Sequence, residues 1–139
     1  MSTTTDVDAI VAGLLDCTLP REQWTHEAHL KAGLWHALRH SPPEALALLR
    51  SRIGAYNVAS GVANTPTSGY HETITRFYVH VIDDFVQHAD RRRPVDELAK
   101  TMIDRLGARD LPFRYYSRER LLSPAARLGW LEPDLAALP

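Results

Sequence analysis

The chain has 139 residues, 45% of them hydrophobic and 24% charged, and its 16 basic and 17 acidic side chains give a net charge of -1. A chain of this length forms one domain and buries roughly 70% of its unfolded surface. The composition excludes an intrinsically disordered chain, and the balanced charge supplies no positive field for a nucleic-acid backbone. One domain spanning residues 1–139, with no nucleic-acid partner, is the expectation. Cys17 is the only cysteine, so no internal disulfide can form. The N-terminal stretch MSTTTDVDAIVAGLLD is acidic where a signal peptide would be basic, and its apolar run is too short to span a bilayer. The expected setting is the cytoplasm, without membrane contact.

Taken in chain order, Thr5 and Asp8 form a capping box ahead of Val7, Ile10, Val11, Leu14 and Leu15 at helical spacing, which predicts a first helix ending before Pro20. A second helix is predicted from Thr25, its N-cap, to about His40, with Gly33 weakening its middle. Ser41, Pro42, Pro43 and Glu44 start a third helix, whose buried stripe is Leu46, Leu49, Ile53 and Tyr56. Residues 60–69, SGVANTPTSG, read as a loop. The fourth helix, roughly Tyr70 to His88, places Ile74, Phe77, Tyr78, Val81, Ile82 and Phe85 on one face, and His71 extends that stripe back by one turn. After the solvated basic stretch Arg91–Arg93, Pro94 opens a fifth helix with Leu98, Met102, Ile103 and Leu106 facing inward, stopped by Gly107. Ser117 and Ser123 cap two short C-terminal helices. With no strand pattern and no repeat, the fold class is an all-α single-domain bundle of about five main helices plus two short ones.

Seven histidines stand out. His26 with His29 and His36 with His40 fall at helix-neighbour spacing on the second helix, inside a stripe roughly 80° wide. His26 and His29, one turn apart, can aim both imidazoles at one point, which is how a helix supplies two metal ligands. His71 is the candidate third ligand. Its convergence with the other two requires the second and fourth helices to run roughly parallel or to cross near their N-termini. His36 and His40 read as a surface pair near a helix C-terminus, where the dipole favours cationic imidazole. His80 and His88 point away from the buried stripe. The bland alternative for His26, His29 and His71 is ordinary polar contact, with His71 bonded to a backbone carbonyl.

Glu72 follows His71 directly and is the candidate catalytic base or carboxylate ligand. HEAH departs from the H-E-x-x-H zinc-protease spacing, and no histidine is followed by aspartate as an HD-type phosphohydrolase requires. In the tail, Arg114, Tyr115, Tyr116 and Arg118 form a candidate substrate-binding group, since guanidinium forks and phenol rings suit an anionic or aromatic ligand. The competing reading is a surface arm pinned by local ion pairs.

The segments WTHEAHL (24–30), NTPTSGYHETIT (64–75) and SRERLLSPAAR (117–127) resemble those of a group of small uncharacterised bacterial helical proteins. The resemblance covers most of the chain, implies a helical fold and points to the same histidines, and it brings no activity with it. Two functional expectations follow from the residues. One is a metal-dependent enzyme acting on a small organic molecule, with a divalent transition metal (zinc, iron, copper or nickel) on His26, His29 and His71. The other is a non-catalytic helical ligand-binding or protein-interaction module with structural histidines.

Overall fold

The computed structural model describes residues 5–139 and is all-α; the first four residues of the N-terminal stretch lie outside that range. Its helices are α1 (Asp6–Leu15), α2 (His26–Arg39), α3 (Pro42–Ala59), α4 (Glu72–Gln87), α5 (Val95–Leu106), α6 (Arg118–Leu121) and α7 (Pro124–Leu128). Short 3₁₀ turns at Arg21–Gln23 and Leu111–Arg114 join them. No strand forms among the described residues; the sole β-type pairing there is an isolated bridge between Thr65 and Ser68.

The capping chemistry places the helix starts. Thr5 Oγ1 accepts the Asp8 N–H at 3.1 Å and donates to the Asp8 carboxylate at 2.8 Å, so Thr5 caps α1 and Asp8 closes back on the capping hydroxyl in place of the Thr5 backbone N–H of a full capping box. Thr25 Oγ1 accepts the Ala28 N–H at 3.2 Å and opens α2, while Ser117 and Ser123 do the same for α6 and α7. Ser41 starts α3 without a side-chain cap bond, and Pro42 and Pro43 fill the first helical positions, where their fixed φ suits the helix and their missing N–H costs nothing.

The loop at 60–69 decides which helix ends meet. Asn64 Oδ1 accepts from the Tyr70 N–H at 3.0 Å and from Asn57 Nδ2 at 3.1 Å, and Asn64 Nδ2 donates to the Gly54 carbonyl at 3.0 Å. Gly69 turns the chain at φ +79°, where a Cβ would lie 2.5 Å from the Ala63 carbonyl oxygen, so only glycine fits. The chain thus reverses twice, from α2 to α3 and from α3 to α4, and α2 and α4 run in the same direction. At Gly33 the two pack closely, since a Cβ there would meet Ile82 Cδ1 at 2.7 Å.

The main core joins Val7 of α1, Leu30 and Leu34 of α2, Ile82 and Phe85 of α4, and Leu98 and Met102 of α5. Each such side chain contributes roughly 1.5–3 kcal/mol by leaving water. A second cluster gathers Val11, Leu14, Trp24, Ala28 and Tyr56. A third sets Phe77 and Val81 against Leu111, Tyr116 and Leu121 of the C-terminal region. Two expectations need correction. Leu15 is 46% exposed, because α1 buries only Val7, Val11 and Leu14. His36 is fully buried and is no surface cation: its Nδ1–H donates to the Ala32 carbonyl at 2.7 Å, its Nε2 accepts from Arg52 at 2.7 Å, and burial lowers its pKa to about 4.

Candidate functional site

Between α2, α3 and α4 lies a cavity of about 320 Å³. Its walls are mostly apolar: Leu30 and Gly33 come from α2, Leu49 and Ile53 from α3, Val79 and Ile82 from α4. The polar side chains lining it are His26 and His29 in the first turn of α2 and Thr75 and Tyr78 of α4. Gly33 contributes to it directly, since the missing Cβ leaves space that a side chain would fill against Ile82.

Both cavity histidines have a fixed ring orientation. His29 Nδ1–H donates to the Thr25 carbonyl at 2.7 Å, and the ring stacks on Trp24 with centroids 3.8 Å apart. His26 Nε2–H donates to the Gly107 carbonyl at 3.1 Å, and its ring meets the edge of Tyr78 at 6.0 Å. A carbonyl only accepts, so these bonds assign the protons and leave His29 Nε2 and His26 Nδ1 as lone-pair acceptors with no partner among the described residues. The His29 side chain is exposed at the cavity mouth, and desolvation by the protein around it lowers its pKa to about 4; the bond to Thr25 opposes the shift, and the charges of His26 and Arg21 add to it. His26 is likewise lowered, first by burial and then by Arg109, against the opposing pull of its Gly107 bond. Both rings are neutral at pH 7. Tyr78, whose ring lines the same cavity, carries the one buried side-chain polar atom among the described residues without a hydrogen-bond partner, its hydroxyl oxygen, and burial raises its pKa to about 12.

His71 sits differently from the sequence expectation. α4 begins at Glu72, one position after His71, and His71 is its N-cap: Nδ1 accepts the Ile74 N–H at 3.1 Å while Nε2–H donates to the Leu121 carbonyl at 2.8 Å. Both ring nitrogens thus hold backbone groups, and burial keeps the ring neutral. His71 lines a neighbouring cavity of about 250 Å³ that also touches His29, so His29 stands between the two spaces. Among the described residues no group of three or more His, Cys, Asp or Glu side chains is arranged to hold a metal ion.

The remaining sequence candidates lie apart from the histidine cavity. Glu72 is gripped by Arg50 through two bonds of 2.6 and 2.9 Å and accepts the Tyr70 hydroxyl at 2.7 Å. Arg50 first, then Tyr70, hold its carboxyl below the usual range, so it is ionised and committed to tying α3 to α4. Tyr116 is fully buried and donates to the Leu131 carbonyl at 2.6 Å, while Tyr115 packs on Phe77 at 5.5 Å. Arg114 faces Asp110 at 3.9 Å, and Arg118 lies 5.5 Å over the Phe113 ring. None of these four lines the cavity. The arrangement of Arg114 and Arg118 is the pinned surface arm. His80 and His88 are exposed, His80 donating to the Pro139 carbonyl at 2.5 Å and His88 to that of Asp84 at 2.8 Å.

Tyr78 was legible only as one more member of an apolar stripe, and nothing in the spacing separated its hydroxyl from the core around it. Thr75 and Arg21 carried no motif at all. No helix among the described residues is long and apolar enough to cross a membrane. The chain matches no protein-family model, and no curated protein or solved structure shows significant similarity to it.

Proposed function

We propose that this protein binds a small, predominantly apolar organic molecule in the cavity between α2, α3 and α4, with His26 and His29 orienting its polar end. One observation carries the reading: an apolar cavity of about 320 Å³ holds two neutral imidazoles, each fixed by a backbone carbonyl and each with one acceptor nitrogen unengaged. Small-molecule sites have this makeup, a largely apolar pocket at the low end of the usual 300–1,000 Å³ with a few fixed polar groups. The test is calorimetric titration with 3-phenylpropanamide, a neutral probe with an apolar body and an amide donor, against wild type and Ile53→Trp, which fills the cavity wall. Saturable binding to wild type that is lost in Ile53→Trp supports the proposal; equal heats from both proteins oppose it.

A metal-dependent reaction on the bound molecule is the second reading. What favours it is the spacing of the two neutral donors, His26 and His29, one helical turn apart on a single cavity wall. The third donor would have to come from solvent or substrate, because the nitrogens of His71 hold Ile74 and Leu121. Metal analysis of protein purified without a histidine tag separates the readings: about one equivalent of zinc, iron, copper or nickel favours the enzyme, and essentially none favours the binding module.

A further inference from the structure

The second cavity gives the ligand a charge. His29, Ile53, Ile74 and Thr75 border both spaces, so the two lie side by side with His29 between them. The two spaces differ in electrostatics. No charged side chain lines the histidine cavity, whereas Arg21 lines the second.

Arg21 is held in place and left unneutralised. One of its terminal nitrogens donates to Asn57 Oδ1 at 3.2 Å, and its guanidinium lies 5.9 Å from the centroid of the Tyr56 ring. Asn57 is itself buried and anchored by its bond to Asn64, so the contact fixes the guanidinium against the cavity wall. Among the described residues no carboxylate lies within ion-pair distance of Arg21, and no other hydrogen bond engages its guanidinium. The second cavity has no acidic lining residue. Glu72, which accepts from the hydroxyl of the lining residue Tyr70, is paired with Arg50. A further guanidinium, Arg127, donates to the Gly69 carbonyl at 2.7 Å, and its charge is felt at His71.

We infer that the ligand is a small amphipathic carboxylic acid, its apolar body in the histidine cavity and its carboxylate in the second cavity against Arg21. The inference rests on the histidine cavity being a ligand site. A guanidinium presents paired N–H donors that match the two oxygens of a carboxylate. Arg21 is the one arginine in the lining, with no lysine there and with Arg127 set back on the Gly69 carbonyl, and a single lining guanidinium fits a monoanion better than a phosphate dianion. His29 offers its free Nε2 beside this cavity, and His71, whose two ring nitrogens hold Ile74 and Leu121, adds no charge that competes for the carboxylate.

The test compares 3-phenylpropanoate with 3-phenylpropanamide, matched in shape and different in charge, by calorimetry at pH 7.5 on wild type and Arg21→Gln. The expected result is that wild type binds the acid about tenfold more tightly than the amide. In Arg21→Gln that preference disappears. Arg21 is exposed, so the variant keeps its fold, and its circular dichroism spectrum serves as the check. Equal affinity of wild type for acid and amide, or an acid preference that survives in Arg21→Gln, overturns the inference and leaves the histidine cavity standing as a binding site. Failure of both probes to bind wild type overturns the inference together with the reading beneath it.

Discussion

The buried His36 makes the fold acid-sensitive in a way that can be isolated. In the unfolded chain its pKa is about 6.5; in the folded protein it is lowered to about 4 by burial first, with Arg52, His40 and Arg39 adding to the shift against the opposing bond to Ala32. A group whose charged form is disfavoured by folding contributes stability that is full above the unfolded pKa and is lost as the pH falls toward the folded one. From pH 7 to pH 5 the loss is about 2 kcal/mol, and it approaches about 3 kcal/mol below pH 4. Protonating His36 would also turn the Arg52 contact from a hydrogen bond into a repulsion between two cations at 2.7 Å. The perturbation is His36→Gln, which keeps an acceptor for Arg52 and removes the titration. Urea unfolding at pH 7 and pH 5 should show wild type losing about 2 kcal/mol more than the variant, whatever their difference at pH 7. Equal losses in the two proteins would refute the assignment of His36 as a buried neutral imidazole.

Gly33→Ala places a Cβ against Ile82 Cδ1 and pushes that methyl group into the cavity. Binding of 3-phenylpropanamide should weaken in calorimetry while stability changes by less than about 1 kcal/mol, because the gain in helix propensity offsets the displacement. Phe77→Ala or Ile82→Ala should each cost on the order of 2–5 kcal/mol in urea unfolding, since both side chains are fully buried in separate clusters. Glu72→Gln should lower stability by about 1–2 kcal/mol through the loss of the Arg50 pair and leave the probe affinity unchanged, which marks Glu72 as a tie between helices and not a base in the cavity.

The helices were legible because their signals are local. Thr5, Thr25, Ser117 and Ser123 cap them where their hydroxyls can accept an N–H three residues on, and the apolar period of α4 needs no tertiary knowledge. His26 and His29 were legible as a pair for the same reason, since one helical turn fixes their spacing. His71 stands at the start of the expected helix, as its N-cap. An imidazole as N-cap is uncommon, and its second bond goes to Leu121, fifty residues away, which no window along the chain can see. His36 was misread as a surface group because its burial depends on Arg52 arriving from α3. Tyr116 and its neighbours looked like a ligand-binding arm, yet the tail folds back so that Tyr116 bonds Leu131 and Thr73 pins both Gly129 and Leu131. In each case the sequence showed the chemistry a side chain can offer, and a distant partner decided whether that chemistry was free.

The most direct test of the ligand site is a ¹⁵N imidazole NMR spectrum of the protein, recorded during titration with 3-phenylpropanamide. His29 Nε2 and His26 Nδ1 start as unprotonated acceptors on the cavity, and His71 and His36 have both nitrogens engaged elsewhere. A ligand in the cavity should move the acceptor nitrogens of His29 and His26 saturably while those of His36 stay fixed. Resonances of His29 and His26 that do not move at saturating probe, or uniform shifts across all seven histidines, would contradict it.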